Sequence, residues 1–435
     1  MITTRNREAL VAVVLGVAAL VAGIQLINPV KGAVTPAGTI TTNAVVSAAW
    51  NRTWGGATHD YGMGIWSDGS SIYTCGYTDS AGAGAYDMLL VKWDASGNQL
   101  WNRTWGDAGG NTGDSIWGSS TAIYTCGDTY IVNKTEMLLV KWDAASGNQL
   151  WNRTFGGSQT SSGNSVWTDG TSVYTCGAIM NVTFSHDLLL VKWDASGNQL
   201  WNRTWGGSND EYGNSVRGAG TEVYTGGHTN SFGNGGYDML LVKWNATSGN
   251  QLWNRTWGDA GEDVIYDLWT DGTSIYACGG TDINYYYGGN TDMALLKYRA
   301  NGGLSFSKTF GGSATEYGNA VVATSSAIYT LGFTTSSGND DFLLVQWDLE
   351  GNQTGNLTWG GADDDDGNAL WSNGVSICAC GYTYSFGAGD ADMAIIKWTL
   401  PSTVLGIDLV PYIALAAVFA IAFLAIKLKR ARGIS

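Results

Sequence analysis

The chain has 435 residues, of which 14% are charged, and it contains 62 glycines and 21 tryptophans. This composition excludes a disordered chain and a long-helix protein, and it is typical of short strands joined by turns. The formal net charge of −15 is concentrated between residues 32 and 407, because seven bases and only two acids lie outside that range. This acidic central part of the chain repels nucleic acid, so we exclude nucleic acid as a partner. It favours cationic ligands instead.

Two uncharged apolar runs lie near the ends, at residues 9–27 and 409–426. Each is about as long as the roughly 20 residues that a helix needs to cross a bilayer. Basic residues precede the first run and follow the second, which predicts cytoplasmic termini and an extracytoplasmic body. We interpret the first run as an uncleaved signal anchor, with a cleaved signal peptide as the alternative. The sequence thus predicts an integral protein of the plasma membrane.

Between these runs the chain repeats itself with a period of about 50 residues. One phrase, "SGNQLWNRTWGG" at residues 196–207, recurs with its key position at Trp50, Trp101, Trp151, Trp201, Trp253, Phe306 and Gly355. Each copy combines four runs, of the kinds "LWNRTW", "GNSVWTDG", "SVYTCG" and "DLLLVKWD", and "DASGN" supplies a tight turn. Their alternating or short apolar patterns are typical of strands. We predict an all-β fold, a seven-bladed β-propeller of four-stranded blades, with N- and C-terminal transmembrane helices.

The first copy of the phrase comes before any complete blade. We predict that its strand, residues 50–54, is the outermost strand of the last blade and pairs with "MAIIKW", which ends at Trp398. Such a closure removes the two sheet edges that an open array would expose. The predicted segments are a cytoplasmic N-terminus, a membrane helix or signal anchor, a linker, the propeller, a linker, a membrane helix and a basic cytoplasmic tail (1–8, 9–27, 28–44, 45–400, 401–408, 409–426 and 427–435).

The first copy carries a family resemblance. "GGATHDYGMGIWSDGSSIYTCGYT", followed by "YDMLLVKWDASGNQLW", resembles the seven-bladed propeller repeat of the SBBP type and is more distantly similar to WD-repeat and quinoprotein propellers. The resemblance covers residues 45–400. It implies a membrane-anchored surface protein that acts as an extracellular interaction platform, although propellers host many unrelated functions.

Sequons of the form N-x-S/T predict glycosylation on the extracytoplasmic side. They occur at Asn51, Asn102, Asn133, Asn152, Asn181, Asn202, Asn245, Asn254, Asn352 and Asn356. In "WNRTW" the alternation places Trp and Arg on one face and Asn and Thr on the other, so Asn can face solvent while Trp packs between blades. The alternative is that NRT is a polar strand face copied by duplication.

The six cysteines predict no disulfide. Five occupy one column of the repeat, and Cys378 lies two residues before the last of them, on the same strand; the column is Cys75, Cys126, Cys176, Cys278 and Cys380. One position per blade spreads the sulfurs around a ring, whereas a bridge needs Cα atoms within about 7 Å. We expect buried free thiols, and no spacing matches a zinc site.

An acid opens the "DLLLVKWD" run in every copy, and a lysine usually follows five residues later. The acids are Asp87, Glu136, Asp187, Asp238, Asp292, Asp341 and Asp392; the lysines are Lys92, Lys141, Lys192, Lys243, Lys297 and Lys397, with Gln346 in copy six. Because an active site needs asymmetry, sevenfold repetition favours a structural role, such as accepting hydrogen bonds from loops.

The loop of copy seven, "GGADDDDGN", breaks the symmetry with Asp363, Asp364, Asp365 and Asp366. Carboxylates in a flexible loop suit Ca²⁺, so these four are the candidate metal ligands and calcium is the candidate cofactor. The alternative is a solvated acidic loop, because the spacing fits no familiar calcium loop.

No catalytic or other cofactor-binding motif stands out, and His59, His186 and His228 come from different columns of the repeat. We predict a non-enzymatic cell-surface protein whose propeller binds a surface protein or a glycan. One alternative is a lectin-like module that stacks sugars on aromatic residues such as Tyr285–Tyr287. The other is an extracellular hydrolase, because the domain holds enough carboxylates for a glycosidase pair. The oligomeric state stays open.

Overall fold

The computed structural model describes residues 46–131, 133–282, 291–400, 403–404 and 407–408. Both predicted membrane runs, both predicted cytoplasmic ends and Tyr285–Tyr287 lie outside these residues. Within the described part of the chain, no helix has the length and apolar character that a membrane span requires.

Twenty-eight strands form seven antiparallel four-stranded sheets, which confirms the predicted seven-bladed propeller. The first strand, β1 (Ser47–Trp54), belongs to the last blade. Blade 1 contains β2 (Asp60–Ser67), β3 (Ser71–Thr78), β4 (Asp87–Asp94) and β5 (Gln99–Trp105). Blade 2 contains β6 (Ser115–Gly118), β7 (Ala122–Ile131), β8 (Lys134–Asp143) and β9 (Gln149–Phe155). Blade 3 contains β10 (Ser161–Thr168), β11 (Ser172–Met180), β12 (His186–Asp194) and β13 (Gln199–Trp205).

The remaining blades repeat this plan. Blade 4 contains β14 (Glu211–Ala219), β15 (Glu222–Thr229), β16 (Asp238–Asn245) and β17 (Gln251–Trp257). Blade 5 contains β18 (Val264–Thr270), β19 (Ser274–Thr281), β20 (Asp292–Arg299) and β21 (Leu304–Phe310). Blade 6 contains β22 (Glu316–Ala323), β23 (Ile328–Thr334), β24 (Asp341–Trp347) and β25 (Gln353–Trp359). Blade 7 contains β26 (Asp365–Ser372), β27 (Ser376–Thr383), β28 (Asp392–Thr399) and β1, and a short pair, β29 (Thr403–Val404) and β30 (Ile407–Asp408), follows.

The ring closes as the sequence predicts. Strand β1 pairs antiparallel with β28, from Ser47 opposite Thr399 to Trp54 opposite Met393. In blades 1–6 the chain runs from the innermost strand outward, and in blade 7 it does so from β26 to β28. Each innermost strand contacts those of the two neighbouring blades, with β26 against β2. The last blade is therefore built from both ends of the described chain.

The hydrophobic core lies between blades. The apolar third strand is buried on both faces, as Leu89 and Leu90 show in β4. Each buried tryptophan at the end of that strand needs an acceptor for its indole N–H. Trp93 Nε1 donates to Thr74 Oγ1 at 3.0 Å, and Trp244 Nε1 donates to Thr225 Oγ1 at 2.9 Å. This contact explains why threonine recurs in "SVYTCG".

The repeated phrase docks onto its own next copy. Trp50 Nε1 donates to Ala95 O at 3.2 Å, in the turn of the next blade, and Trp101 Nε1 donates to Ala145 O at 3.0 Å. Gly97 in that turn has φ +79°, and a Cβ there would lie 2.9 Å from the Trp50 ring. "WNR" and "SGN" are therefore the two halves of one contact between blades, which accounts for their repetition together.

The copy of the phrase at Gly355 has lost its tryptophan, and it lies in the one blade whose neighbour offers no turn for that tryptophan to contact. Blade 7 has no turn between its third and outermost strands, because β28 and β1 come from opposite ends of the propeller. The strand that faces it from blade 6, β25, has Gly355 and Leu357 in place of the docking tryptophan and arginine. Gln346 likewise replaces the lysine of blade 6. Closure by two chain ends thus explains both departures from the repeat.

Candidate functional site

The ring has two different faces. Tight turns such as residues 68–70 and 95–98 form the turn face, whereas longer loops such as residues 79–86 and 106–114 form the loop face. The loop face carries the connections from each outermost strand to the next innermost strand and from each second strand to its third. The loop of four aspartates belongs to the loop face.

Positive charge is directed away from the loop face. Lys92 Nζ donates to Ala144 O in the next blade's turn at 2.8 Å and lies 5.0 Å from the ring centroid of Tyr73. The same contact to the next turn is made by the other five lysines of the column (Lys141, Lys192, Lys243, Lys297 and Lys397). The described loop-face loops contain no lysine or arginine, and Lys134 borders one of them at the start of β8.

The loop face carries negative charge without these lysines, whereas acids of the turn face such as Asp94 and Asp194 share their face with them. Its described loops hold acids in several blades: Asp79, Asp107, Asp210, Asp259, Glu262, Asp263, Asp282, Asp340, Asp363, Asp364 and Asp390. A cavity of about 690 Å³ opens there, at blades 6, 7 and 1. Its lining includes five carboxylates and two tyrosines, namely Asp340, Asp363, Asp364, Asp366, Asp390, Tyr382 and Tyr384. This cavity is the candidate site.

The four consecutive aspartates have different roles. Asp365 is fully buried and accepts a hydrogen bond from Gly361 N at 2.7 Å. Asp60 and Glu211 do the same in their blades, accepting from Gly56 N and Gly207 N at 2.7 Å each. Asp365 therefore belongs to a second column of structural acids. The sequence analysis missed this column, although its residues align across the copies.

Asp366 differs from its counterparts. It follows the structural acid at the position where other blades have Tyr61, Tyr212 and Tyr317. It is only 7% exposed; the Tyr382 hydroxyl donates to its Oδ2, and its Oδ1 has no hydrogen-bond partner. Burial raises the pKa of Asp366 to about 6, and the neighbouring carboxylates add to this shift. Asp366 therefore has a buried carboxylate oxygen without a donor, as the structural acids Asp341 and Asp365 also have.

Aromatic side chains adjoin the carboxylates of the cavity: Tyr382 and Tyr384 line it, and Tyr61 packs against both. The Tyr61 and Tyr384 hydroxyl oxygens are 2.9 Å apart and share a hydrogen bond. The Tyr382 ring meets Tyr61 edge-on at 4.9 Å between centroids and Tyr384 at 5.9 Å. Burial raises the pKa of Tyr61 and of Tyr382 well above the usual value, so both are neutral phenols at physiological pH.

The structure does not bring the four aspartates together as a metal site. Asp363 N bonds Ser385 Oγ at 3.0 Å, and Asp364 Oδ1 accepts from Asp340 N at 3.1 Å. Within the described ranges, no three His, Cys, Asp or Glu side chains are grouped so that they could hold a metal ion. Calcium binding by this loop stays a prediction.

The repeated acids that open the third strands have the structural role that was predicted. Asp87 accepts from Ala83 N at 2.7 Å, and Asp392 accepts from Ala388 N at 2.9 Å, both within loop-face loops. The six cysteines are buried free thiols. Burial raises the pKa of Cys75 far above its ordinary value, and its Sγ lies 3.2 Å from Gly113 O. None of these side chains lines the cavity.

The sequons divide by exposure. In β5 the predicted alternation holds, with Asn102 and Thr104 exposed and Trp101 half-buried. The exposed sequon asparagines are Asn102, Asn133, Asn152, Asn202 and Asn352, and the half-buried ones are Asn51, Asn181, Asn245, Asn254 and Asn356. Glycosylation itself stays a prediction.

Sequence analysis also missed a ring of asparagines around the central channel. Each occupies a β-bulge of an innermost strand and donates to a backbone oxygen of the next blade. The bonds are Asn164 to Gly213 O (3.0 Å), Asn214 to Ile265 O (2.8 Å), Asn319 to Gly367 O (3.0 Å) and Asn368 to Gly62 O (3.0 Å). The recurring "GN" was the available signal. In blade 2 the same position holds Asp114, whose pKa burial raises to about 7.

No protein-family model matches the chain, and no curated protein matches it. Solved structures do match. Hydrazine synthase of Kuenenia stuttgartiensis has a TM-score of 0.50 and 11% identity, over 76% of this chain and 94% of that one. Sqt1 of Chaetomium thermophilum, bound to the N-terminus of ribosomal protein L10, has a TM-score of 0.46 and 9% identity, over 80% and 98%.

A third similar structure is the β-propeller domain of the trilobed protease of Pyrococcus furiosus, with an open velcro topology. It has a TM-score of 0.45 and 10% identity, over 78% of this chain and 96% of that one. At such identities the likeness concerns the fold alone, and the resemblance to SBBP repeats finds no matching family model. The chain is thus a seven-bladed β-propeller of four-stranded blades.

Proposed function

We propose that the protein is a non-enzymatic binding scaffold whose loop face binds a cationic segment of a partner protein. The separation of charge between the two faces carries this proposal. Acids and tyrosines surround the candidate cavity, whereas the lysines of the repeat donate to turns on the opposite face. A face with one sign of charge attracts and orients an oppositely charged partner.

The proposal includes the location predicted from the sequence. The apolar runs at residues 9–27 and 409–426 would anchor an SBBP-type propeller outside the plasma membrane, with both termini in the cytoplasm. Protease added to intact cells should then remove the propeller and spare a tag placed after Ser435. Digestion of that tag from outside would contradict the orientation.

A lectin-like role is the second candidate. Tyr130, Phe184 and Phe232 are exposed aromatic side chains at the loop face, and aromatic rings can stack on sugars. Binding to a glycan array that is lost on changing these three residues to Ser would favour this candidate. An activity screen on polysaccharides and peptides tests the hydrolase alternative.

The main test measures binding of a fluorescent arginine-glycine repeat peptide by anisotropy at low and high salt. Replacing the loop-face acids Asp210 and Asp259 by Asn, and Glu262 by Gln, should weaken binding about tenfold or more at low salt. The control changes Asp94, Asp194 and Asp348 of the turn face to Asn.

This control is matched in charge and mild in structure. Asn245 already occupies the equivalent turn position in blade 4 and accepts the same kind of bond, from Ser248 N at 2.9 Å. The control should bind the peptide as the wild type does. Equal losses in both variants, or no binding by the wild type, would contradict the proposed function.

A further inference from the structure

We infer that the cavity at blades 6, 7 and 1 is an arginine-binding pocket, which receives the guanidinium group of a partner's arginine side chain. This inference rests on the proposed function and deepens it, because it names the group that the loop face recognises.

The first argument is the environment of Asp366. This side chain lines the cavity and is 7% exposed, and its Oδ2 accepts a hydrogen bond from the Tyr382 hydroxyl. Its Oδ1 is buried without a hydrogen-bond partner, as is Oδ1 of the structural acid Asp365 beside it. Burying a carboxylate costs free energy unless an opposite charge compensates it. A guanidinium has five N–H donors in one plane and a permanent positive charge, so in the cavity it can compensate the charge of Asp366 and bond to the neighbouring carboxylates.

The second argument is that the arrangement is specific to this blade. The counterparts Tyr61, Tyr212 and Tyr317 carry no charge at the position of Asp366. Because the other blades fold with an uncharged residue at this position, the propeller fold does not require an acid there. Asp340 and Asp364 border the same cavity, whose lining includes no lysine or arginine; its one imidazole, His59, pairs with Asp79 at 3.3 Å. The extra charge is therefore left for a ligand to neutralise.

The third argument concerns the kind of cation. Tyr382 and Tyr384 line the cavity together with the carboxylates, and Tyr384 is 38% exposed. Tyrosine rings attract a weakly hydrated planar guanidinium, whereas a metal ion needs several oxygens at short range. The described residues offer no group of three metal-ligating side chains. Carboxylates beside aromatic rings thus favour an organic cation.

The probes are Nα-acetyl-arginine amide and its neutral isostere, Nα-acetyl-citrulline amide, titrated into the full-length protein by calorimetry in the presence of a chelator. The arginine probe should bind in the millimolar range, and the citrulline probe should bind about tenfold more weakly or worse. Equal binding of the two probes, or no binding of the arginine probe, would overturn the inference.

Variants locate the binding. Asp366→Asn should weaken arginine binding about tenfold, since it removes the charge at nearly constant shape. Tyr384→Phe should bind like wild type and Tyr384→Ala several-fold more weakly, because the ring and not the hydroxyl faces the cation. Asp194→Asn, in a tight turn of the opposite face, is the matched control, and melting temperatures confirm that each variant folds. Unchanged binding by Asp366→Asn would overturn the inference.

The peptide assay separates this inference from the proposed function. If Asp366→Asn binds the arginine-glycine peptide as the wild type does while the loop-face triple variant loses it, the pocket is wrong and the scaffold stands. If the triple variant also binds normally, the proposed function fails.

Discussion

Lys397, in the last strand of the described propeller core, has its Nζ 5.9 Å from the ring centroid of Trp50, in the first strand. The same Nζ donates to Ala95 O at 3.1 Å, in the turn of blade 1. A single lysine thus joins both ends of the propeller to the following blade. The contact shows that strand β1 is an integral part of blade 7 and of the junction with blade 1.

We predict that deleting residues 45–54 causes aggregation or a large fall in melting temperature. The deletion removes β1, so it unpairs β28 and exposes a sheet edge. A propeller that melts unchanged without residues 45–54 would show that β1 is dispensable.

We predict that Lys192→Gln lowers the free energy of unfolding by about 1–2 kcal/mol. Lys192 Nζ donates to Ala246 O at 2.8 Å and lies 5.2 Å from the ring centroid of Tyr174. Urea unfolding measures the difference. The reverse change, Gln346→Lys, should give no gain, because blade 7 offers no turn between its third and outermost strands to accept the bond. Stabilisation by Gln346→Lys would contradict this account of the column.

The fold could be predicted because the repeated phrase contains both segments of the contact between blades, "WNR" and the "SGN" turn that it contacts in the next copy. The alternation in "LWNRTW" and the short apolar run in "DLLLVKWD" identify strands, and the early Trp50 identifies the closure. The site was harder for a physical reason. Asp365 and Asp366 are neighbours of the same residue type, yet one is a repeated structural acid and the other lines the cavity. Comparing columns separates them, but the approach of Asp340 and Tyr384 depends on how loops from different blades meet.

We predict that stability falls as the pH rises from 6.5 to 8, and that Asp114→Asn reduces this fall. The pKa of Asp114 is raised from 3.8 to about 7, so the folded protein keeps a proton that the unfolded chain has released. The free energy of unfolding therefore decreases until the pH has passed about 7. His228 acts in the opposite sense, because burial lowers its pKa from 6.5 to about 4. At pH 6.5 the unfolded chain still holds part of a proton at this residue, so His228 offsets part of the fall, and the comparison with Asp114→Asn isolates the contribution of Asp114.

Asp114→Asn introduces a residue that this position already accepts, since four other blades have asparagine there. Thermal melts of wild type and Asp114→Asn at pH 6.5 and 8 test the prediction. The variant should melt higher than wild type at pH 8, with a smaller difference at pH 6.5. Parallel pH profiles would show that Asp114 does not hold the proton.

We predict that glycans are attached preferentially at Asn102, Asn152 and Asn202. These side chains are exposed on outermost strands, whereas Asn181 donates from Nδ2 to Ser185 Oγ at 2.8 Å and to Asp187 Oδ1 at 3.0 Å. Attachment at Asn181 would break both bonds. Peptide mapping before and after enzymatic deglycosylation locates the sites. An unshifted mass would mean that the sequons are unused, and a glycan at Asn181 alone would contradict the exposure argument.

The remaining prediction is the calcium site of the acidic loop, and the structure changes which variant tests it. Like charges on Asp363, Asp364 and Asp366 repel one another, and a bound cation would relieve that repulsion. A ligand present at 100 times its dissociation constant adds about 2.7 kcal/mol of stability. If this loop binds calcium, the protein should melt higher in millimolar Ca²⁺ than in chelator. Asp363→Asn with Asp364→Asn should lose most of that difference while keeping the buried acceptor Asp365. The same difference in both proteins would place the calcium elsewhere, and no difference in wild type would leave the loop without a metal.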